Sequence, residues 1–355
     1  MDLPPVAPHR DRAWTTSDRD PVAIAFVGLG AFTTDWVLPS AAAADGVTVG
    51  AVVSGSPGTA DRVASEYDAT ALTYADYADG EARDAYDAVY VATPNATHLD
   101  HVDTAARHGK AVLCEKPVET TADRARRLRD VCADAGVVLQ VAYRLQVDPV
   151  VRWARAVVDA GVLGTPVHAQ GTMSQDLFTA IGPDPDQWRL DTDLAGGCAL
   201  IDLGIYPLNT LRFLTGQDPR RVQATTQSPD PRFADVDQDV AATLSFEDGL
   251  VAAITASQLS ARGDHLHLAG TDAALVLEPA FFGDVTATVV GPEDTRTVTL
   301  DTNEMQRQLE YFAAHVRTGE LPEPDGDHAL VDAATIDAAY DSAATGDAVA
   351  VDPPG

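Results

Sequence analysis

The sequence predicts a doubly wound α/β domain built on a parallel sheet, followed by an α+β domain whose mainly antiparallel sheet has one open face. Two observations predict it. Between residues 21 and 143, short continuous apolar runs alternate with helical patterns, as strands buried on both faces do. From about 220 to 300, apolar and polar residues alternate between Gly and Asp turns, the pattern of antiparallel strands covered on one side. A chain of 355 residues suits two domains better than one. The expected division is an N-terminal arm (1–20), a dinucleotide-binding domain (21–143) and a substrate-binding and oligomerisation domain (144–355).

Residues 1–20 are Pro-rich and aperiodic, so they read as an arm or a disordered lead. "VAIAFVGLG" opens the first domain as a buried strand ending in glycines, and "VTVGAVVSG" follows after a helical stretch. "DAVYVAT" (87–93), "KAVLCEKP" (110–117) and "GVVLQVAY" (136–143) repeat the theme, with amphipathic segments such as "HLDHVDTAARHG" between them. After residue 147 the rhythm changes. Asp148 is placed to cap a helix over "PVVRWARAVVDAG", and "GGCALIDLGIYPLNTLRFLTG" is a mostly apolar helix. "DVAATLSFEDG", "LVAAITASQLSA" and "HLHLAGTDAALVLEP" read as strands; two helical patterns close the chain.

Charge narrows the partners. The chain has 24 basic and 54 acidic residues, a net charge of −30 that repels nucleic acid and anionic membranes. The acids are scattered and only two lysines occur, Lys110 and Lys116, a balance that looks like a protein of a salt-accumulating extreme halophile. Cys114, Cys132 and Cys198 are too few and too irregular for a disulfide framework or a zinc site, and no metal is expected. The N-terminus has no apolar signal core and no later run reads as a membrane span, so a cytoplasmic protein is expected.

The chemistry begins at "GLGAFT" (28–33), directly after the first strand and opening a helix. A glycine-rich turn there lets the backbone of Gly28, Gly30, Ala31 and Phe32 approach a pyrophosphate at a helix N-terminus, the fingerprint of a Rossmann domain. Thr33 stands where the third glycine of that fingerprint is usual. At the end of the second strand a site for NAD would carry a carboxylate. Ser54, Gly55 and Ser56 stand there instead, which favours NADP over NAD because a 2′-phosphate meets hydroxyl donors and no acid; the serines also suit a simple turn.

"TPNATH" (93–98) and "EKP" (115–117) end further strands, and ligands of open α/β sheets collect at such ends. Thr93, Pro94, Asn95, Glu115 and Lys116 are therefore expected to border a nicotinamide, with His98 assigned to the same loop. A lysine beside an oxidised nicotinamide, partly desolvated, is expected to have a lowered pKa and to move protons, which arginine cannot do. Asp202 and Tyr206 are four apart and share one helix face, costly in an apolar helix unless they meet a polar site.

These motifs, in this order and together with "GGCALIDLGIYPLN" (196–209), resemble the glucose-fructose oxidoreductase and inositol dehydrogenase family. "AYR" (142–144), "PDQWRL" (185–190) and a tyrosine at 206 are most similar to its sugar-dehydrogenase branch, that of the haloarchaeal NADP-dependent D-xylose 1-dehydrogenases. The resemblance implies oxidation of an aldopyranose, D-xylose before D-glucose, at C1 to a lactone. It implies Tyr206 as the acid/base, Lys116 beside it, and Asp202 binding sugar hydroxyls and holding the lysine. Arg144, Trp188 and Arg189 are the remaining candidates for the sugar pocket, though Trp188 also suits ordinary core. The resemblance further implies a homodimer or homotetramer through the second sheet. Two other readings stand beside it: an enzyme of the glucose-fructose oxidoreductase or dihydrodiol dehydrogenase type, the former keeping its NADP, and a non-catalytic NADP-binding sensor. The sensor would not need Lys116, Asp202 and Tyr206 together.

Overall fold

A computed structural model describes residues 1–14 and 20–352. Six parallel strands form the first sheet: β1 (Val22–Val27), β2 (Val47–Ser54), β3 (Thr70–Thr73), β4 (Ala88–Val91), β5 (Ala111–Cys114) and β6 (Leu139–Val141). Their order is β3-β2-β1-β4-β5-β6. Every residue of β4, β5 and β6 is buried, which explains the unbroken apolar runs. β3 has only four residues, of which only Leu72 is fully buried, too little pattern to be read from sequence. Strand order reverses between β1 and β4, and a crevice opens there at the carboxyl ends of the strands.

The second sheet has nine strands: β7 (Pro166–Asp176), β8 (Pro219–Gln227), β9 (Asp239–Phe246), β10 (Val251–Ser257), β11 (Leu259–Gly270), β12 (Ala274–Leu277), β13 (Thr286–Val290), β14 (Thr295–Thr299) and β15 (Val349–Ala350). Its order is β14-β13-β12-β11-β7-β10-β9-β8-β15, antiparallel throughout except where β7 runs parallel to β10. β7 is the structural surprise. Its polar sequence hides a central strand whose Gly171 lets the helix Ile205–Thr215 come close, since a Cβ there would sit 2.6 Å from Pro207 Cβ.

That helix covers the inner face of the sheet. The stretch Thr192–Thr215 is apolar and long enough, by count, to cross a membrane, against the expectation from sequence. Its core window is 78% buried inside the protein, so its apolarity is that of a helix packed on a sheet. The outer face carries His168, Gln170 and Thr172 of β7 beside Val251, Ala253 and Thr255 of β10, with no charge among them.

Two segments cross the boundary expected at residue 144. The helix Glu304–Thr318 packs Met305, Leu309, Phe312 and Ala313 against the first sheet's core. Residues 1–14 dock on the second unit: the buried indole of Trp153 donates to Pro4 O at 2.8 Å and the Met1 ammonium pairs with Asp294 at 3.0 Å. Of the arm expected over 1–20, residues 15–19 lie outside the described residues. All three cysteines are buried free thiols.

Candidate active site

β1 leads directly into Gly28, whose φ of +97° only glycine adopts without strain. A Cβ at Gly28 would lie 2.4 Å from Ala92 O, so the turn fits against the end of β4 only because the side chain is missing. A Cβ at Gly30 would meet nothing within 4 Å, so there is open space beside its Cα, while its carbonyl accepts from Thr34 N at 3.0 Å. Ala31 and Phe32 are exposed, and the helix begins with a wide π-helical turn, Thr33–Val37, that buries Thr33. Thr33 thus fills core where the usual third glycine would allow close packing.

At the end of β2, Ser54 Oγ accepts from Ser56 N at 3.1 Å, and Ser56 caps the helix Pro57–Tyr67 through Thr59 N. Gly55 and Ser56 are exposed. Arg62 pairs with Glu66 at 2.7 Å one turn along that helix. The open space beside Gly30 and the acid-free Ser54–Ser56 turn fit a dinucleotide carrying a 2′-phosphate.

The turn after β4 is held from both sides. Thr93 Oγ1 accepts from Thr97 Oγ1 at 2.8 Å, and Asn95 Nδ2 donates to Ala195 O at 2.8 Å, tying the first domain to the glycine pair ahead of the Asp202 helix. His98 is fully buried, its ring nitrogens 2.9 Å from Thr93 O and 3.2 Å from Val118 O. It packs between the turns that carry Pro94 and Lys116, donating to one of those carbonyls, and being fully buried it offers a cofactor no exposed edge. After β5, Glu115 accepts from Tyr90 Oη at 2.6 Å and from Lys116 N at 3.1 Å. Burial pushes its carboxyl above the usual range. A cis Lys116–Pro117 peptide follows.

Lys116, Asp202 and Tyr206 meet at this point. Lys116 Nζ donates to Asp202 Oδ1 at 2.9 Å and to Asp202 O at 3.0 Å, and lies 4.7 Å from the centre of the Tyr206 ring. Asp202 Oδ2 accepts from Gln258 Nε2 at 2.9 Å, with Arg189 Nε at 3.5 Å. The wide turn Ala199–Gly204 delivers Asp202, and the helix Ile205–Thr215 delivers Tyr206.

One expectation fails here. Burial by itself would lower the pKa of Lys116, but Asp202, Tyr206 and Glu115 outweigh it and raise the value. The same contacts hold Asp202 below the usual carboxylate range although burial alone would raise it. These contacts hold Lys116 as a cation.

Arg144 donates to Tyr206 Oη at 3.3 Å and to Phe281 O at 2.9 Å, and pairs with Glu304. Its donors face the tyrosine and the domain boundary. Trp188 is half-buried with the Arg189 guanidinium 4.4 Å from its ring centre, and Arg189 alone of that pair reaches Asp202. Gln258, Glu304 and Tyr90 escaped the sequence reading. They stand far along the chain from the motifs they support, and no local pattern marks them.

Behind Tyr206 the helix carries a buried polar network. Asn209 Nδ2 and Gln146 Nε2 both lie within 2.9 Å of His328 Nε2, and Asn209 also donates to Asp332 at 2.7 Å. Burial and then the Arg212 charge push His328 down to about 4. An unfolded histidine titrates near about 6.5, so between these values the unfolded chain binds the extra proton. Stability is therefore expected to fall as pH drops from about 6.5 to about 4, by up to roughly 3 kcal/mol from this group. Denaturant unfolding at successive pH values checks it: His328→Gln should flatten that part of the slope whatever its own stability, and an unchanged slope refutes the assignment.

Comparison with known proteins agrees with this geometry. Residues 22–143 match the model of the oxidoreductase family with an NAD-binding Rossmann fold, and residues 151–276 match the GFO/IDH/MocA C-terminal domain. The D-xylose 1-dehydrogenase [NADP(+)] of Haloarcula marismortui is 41% identical over 351 residues, 97% of each chain. The chain belongs to the GFO/IDH/MocA oxidoreductase family. D-xylose 1-dehydrogenase (NADP(+)) 2 of Haloferax volcanii is 36% identical over 308 residues, covering 85% of this chain and 91% of the relative. The aldose-aldose oxidoreductase of Caulobacter crescentus, solved with glycerol, superposes with a TM-score of 0.87 at 29% identity, covering 93% of this chain and 99% of that one.

Proposed function

We propose that the protein oxidises an aldopyranose at C1 to the lactone with NADP, D-xylose being the first candidate and D-glucose the second. The observation that carries the reading is the Lys116–Asp202–Tyr206 cluster at the crevice of the dinucleotide fold. Gly28, Gly30, Ala31 and Phe32 would hold the pyrophosphate, Ser54–Ser56 the 2′-phosphate end, and Thr93, Pro94, Asn95 and Glu115 the surroundings of the nicotinamide. Bound NADP supplies the acceptor for the hydride that leaves C1.

The chain's own residues handle the proton. Tyr206, reacting as its phenolate, would take it from the anomeric hydroxyl as the hydride leaves C1, so that C1 becomes the carbonyl of the lactone and the phenol is regenerated. Lys116, kept cationic by Asp202, orients that hydroxyl and the phenol oxygen. Arg144 keeps a donor on the same phenol oxygen, and Arg189 with Asp202 is placed to read sugar hydroxyls. The likeness to an aldose–aldose oxidoreductase favours a second reading, in which the nucleotide stays bound while two sugars exchange a hydride.

The surroundings are part of the proposal. A net charge of −30 with two lysines suits a salt-accumulating cytoplasm. The uncharged outer face of β7 and β10 suits a homodimer or homotetramer, because so acidic a chain has little other reason to leave an extended face without carboxylates. The test is reduction of NADP and NAD in molar KCl by the purified protein, with D-xylose, D-glucose, L-arabinose and an inositol, and its mass by light scattering in the same buffer. Steady turnover with a pentose and NADP is the expected result. A nucleotide spectrum that survives gel filtration without turnover supports the second reading, and a folded protein with neither removes both.

A further inference from the structure

Tyr74 has no part in the site described above, yet it stands at the nucleotide end of the first sheet and is 36% exposed. It opens the short helix Tyr74–Asp79 directly after β3, whose Thr73 is paired with Ser54 of β2. Its ring edge closes on Gly55: a Cβ there would lie 3.2 Å from Cε2 and 3.5 Å from Cδ2. A side chain at position 55 would push the ring aside.

The ring is also held from behind. His101 lies 5.0 Å away at 40°, and Tyr77 Oη fixes that neighbour's backbone by donating to His101 O at 2.8 Å. Burial pushes His101 down to about 4, so the partner ring is neutral at ordinary pH. Thr73 and Asp76 form a reciprocal cap that sets the backbone on which Tyr74 stands. A part-exposed aromatic kept rigid by its neighbours is a ready surface for another ring.

In doubly wound dinucleotide folds the ribose bearing the 2′ group meets the end of the second strand. The base on that ribose lies near the same strand end, and the neighbour of β2 on the side away from β4 and β5 is β3, which delivers Tyr74. We infer that Tyr74 is the stacking platform for the adenine of NADP, so that the protein grips the cofactor by its base as well as its phosphates. This rests on the reading of Ser54–Ser56 as the 2′-phosphate end.

Calorimetry with adenosine 2′,5′-bisphosphate and with ribose 5-phosphate, on the full chain in molar KCl, tests it apart from turnover. Tyr74→Phe should bind the bisphosphate within twofold of wild type, and Tyr74→Leu about tenfold more weakly, the usual size of a base–aromatic stack. Loss of the bisphosphate's ultraviolet hypochromism in Tyr74→Leu should accompany that change, while any ribose 5-phosphate binding stays the same. Equal bisphosphate affinity in wild type and Tyr74→Leu overturns the inference alone. A folded wild type that binds no bisphosphate overturns the cofactor-site reading with it.

Discussion

Tyr206→Phe lowers kcat by about a thousandfold, within the range that loss of a positioned acid/base group produces, and leaves the KM for the sugar within a few fold. The phenylalanine ring keeps the packing. It still lies against Phe281, 6.2 Å between ring centres, with Lys116 over its face. What disappears is the oxygen to which Arg144 donates at 3.3 Å. Arg144 retains Glu304 and the Phe281 carbonyl, so the fold loses one hydrogen bond of about 1 kcal/mol. A kcat loss without a matching KM rise separates a group that acts in the transition state from one that merely binds substrate. Steady-state kinetics with D-xylose, supported by circular dichroism, decides it. A variant with near-normal kcat removes Tyr206 as the proton acceptor.

Asp202→Ala is expected to destabilise the fold by about 3–5 kcal/mol and to abolish turnover, because it strands a buried lysine. The Lys116 and Asp202 side chains are only 13% and 17% exposed. Removing the carboxylate also takes a partner from Gln258 Nε2 and from Arg189. The double variant Lys116→Met, Asp202→Leu should recover most of the stability and none of the activity, since an apolar pair replaces the buried charges. Molar salt does little to screen a pair this enclosed.

The pH signs separate this pair from His328. Asp202 titrates below its unfolded value near about 3.9, so its contribution is present above that pH and is lost as pH falls through the folded value. Lys116 titrates above its unfolded value near about 10.4, so its contribution is present below that pH and is lost as pH rises through the folded value. The pair's contribution is therefore level across neutral pH, whereas His328 bends the curve only below about 6.5. Urea unfolding at pH 7.5 reads the pair alone, and a loss under about 1 kcal/mol for Asp202→Ala would show that the lysine finds other partners.

The sequence by itself determined the parts whose chemistry is local. Strands buried on both faces must be apolar throughout, so β1, β2, β4 and β5 could be read directly, and the glycine turn between β1 and its helix marked a candidate dinucleotide site. Asp148 was legible as a cap because a capping side chain serves backbone amides two and three residues on, and it accepts from Val150 N and Val151 N. Lys116, Asp202 and Tyr206 were legible as candidates because polar groups in apolar segments need a reason to be there.

Only the tertiary structure decided what those groups do to one another. Lys116 and Asp202 are 86 residues apart, and their contact at 2.9 Å turned an expected lowered lysine pKa into a raised one. The nicotinamide-side position assigned to His98 became a buried one between two carbonyls once Val118 was brought to its ring. β7 could not be read because its polar residues alternate with Ala169, Gly171 and Met173 for the sake of a helix that follows it in the chain, and the helix Glu304–Thr318 could not be placed because its apolar face does not say which sheet it will cover. Periodicity records that a face is buried; the long-range fold alone records against what, and so which charges end up side by side.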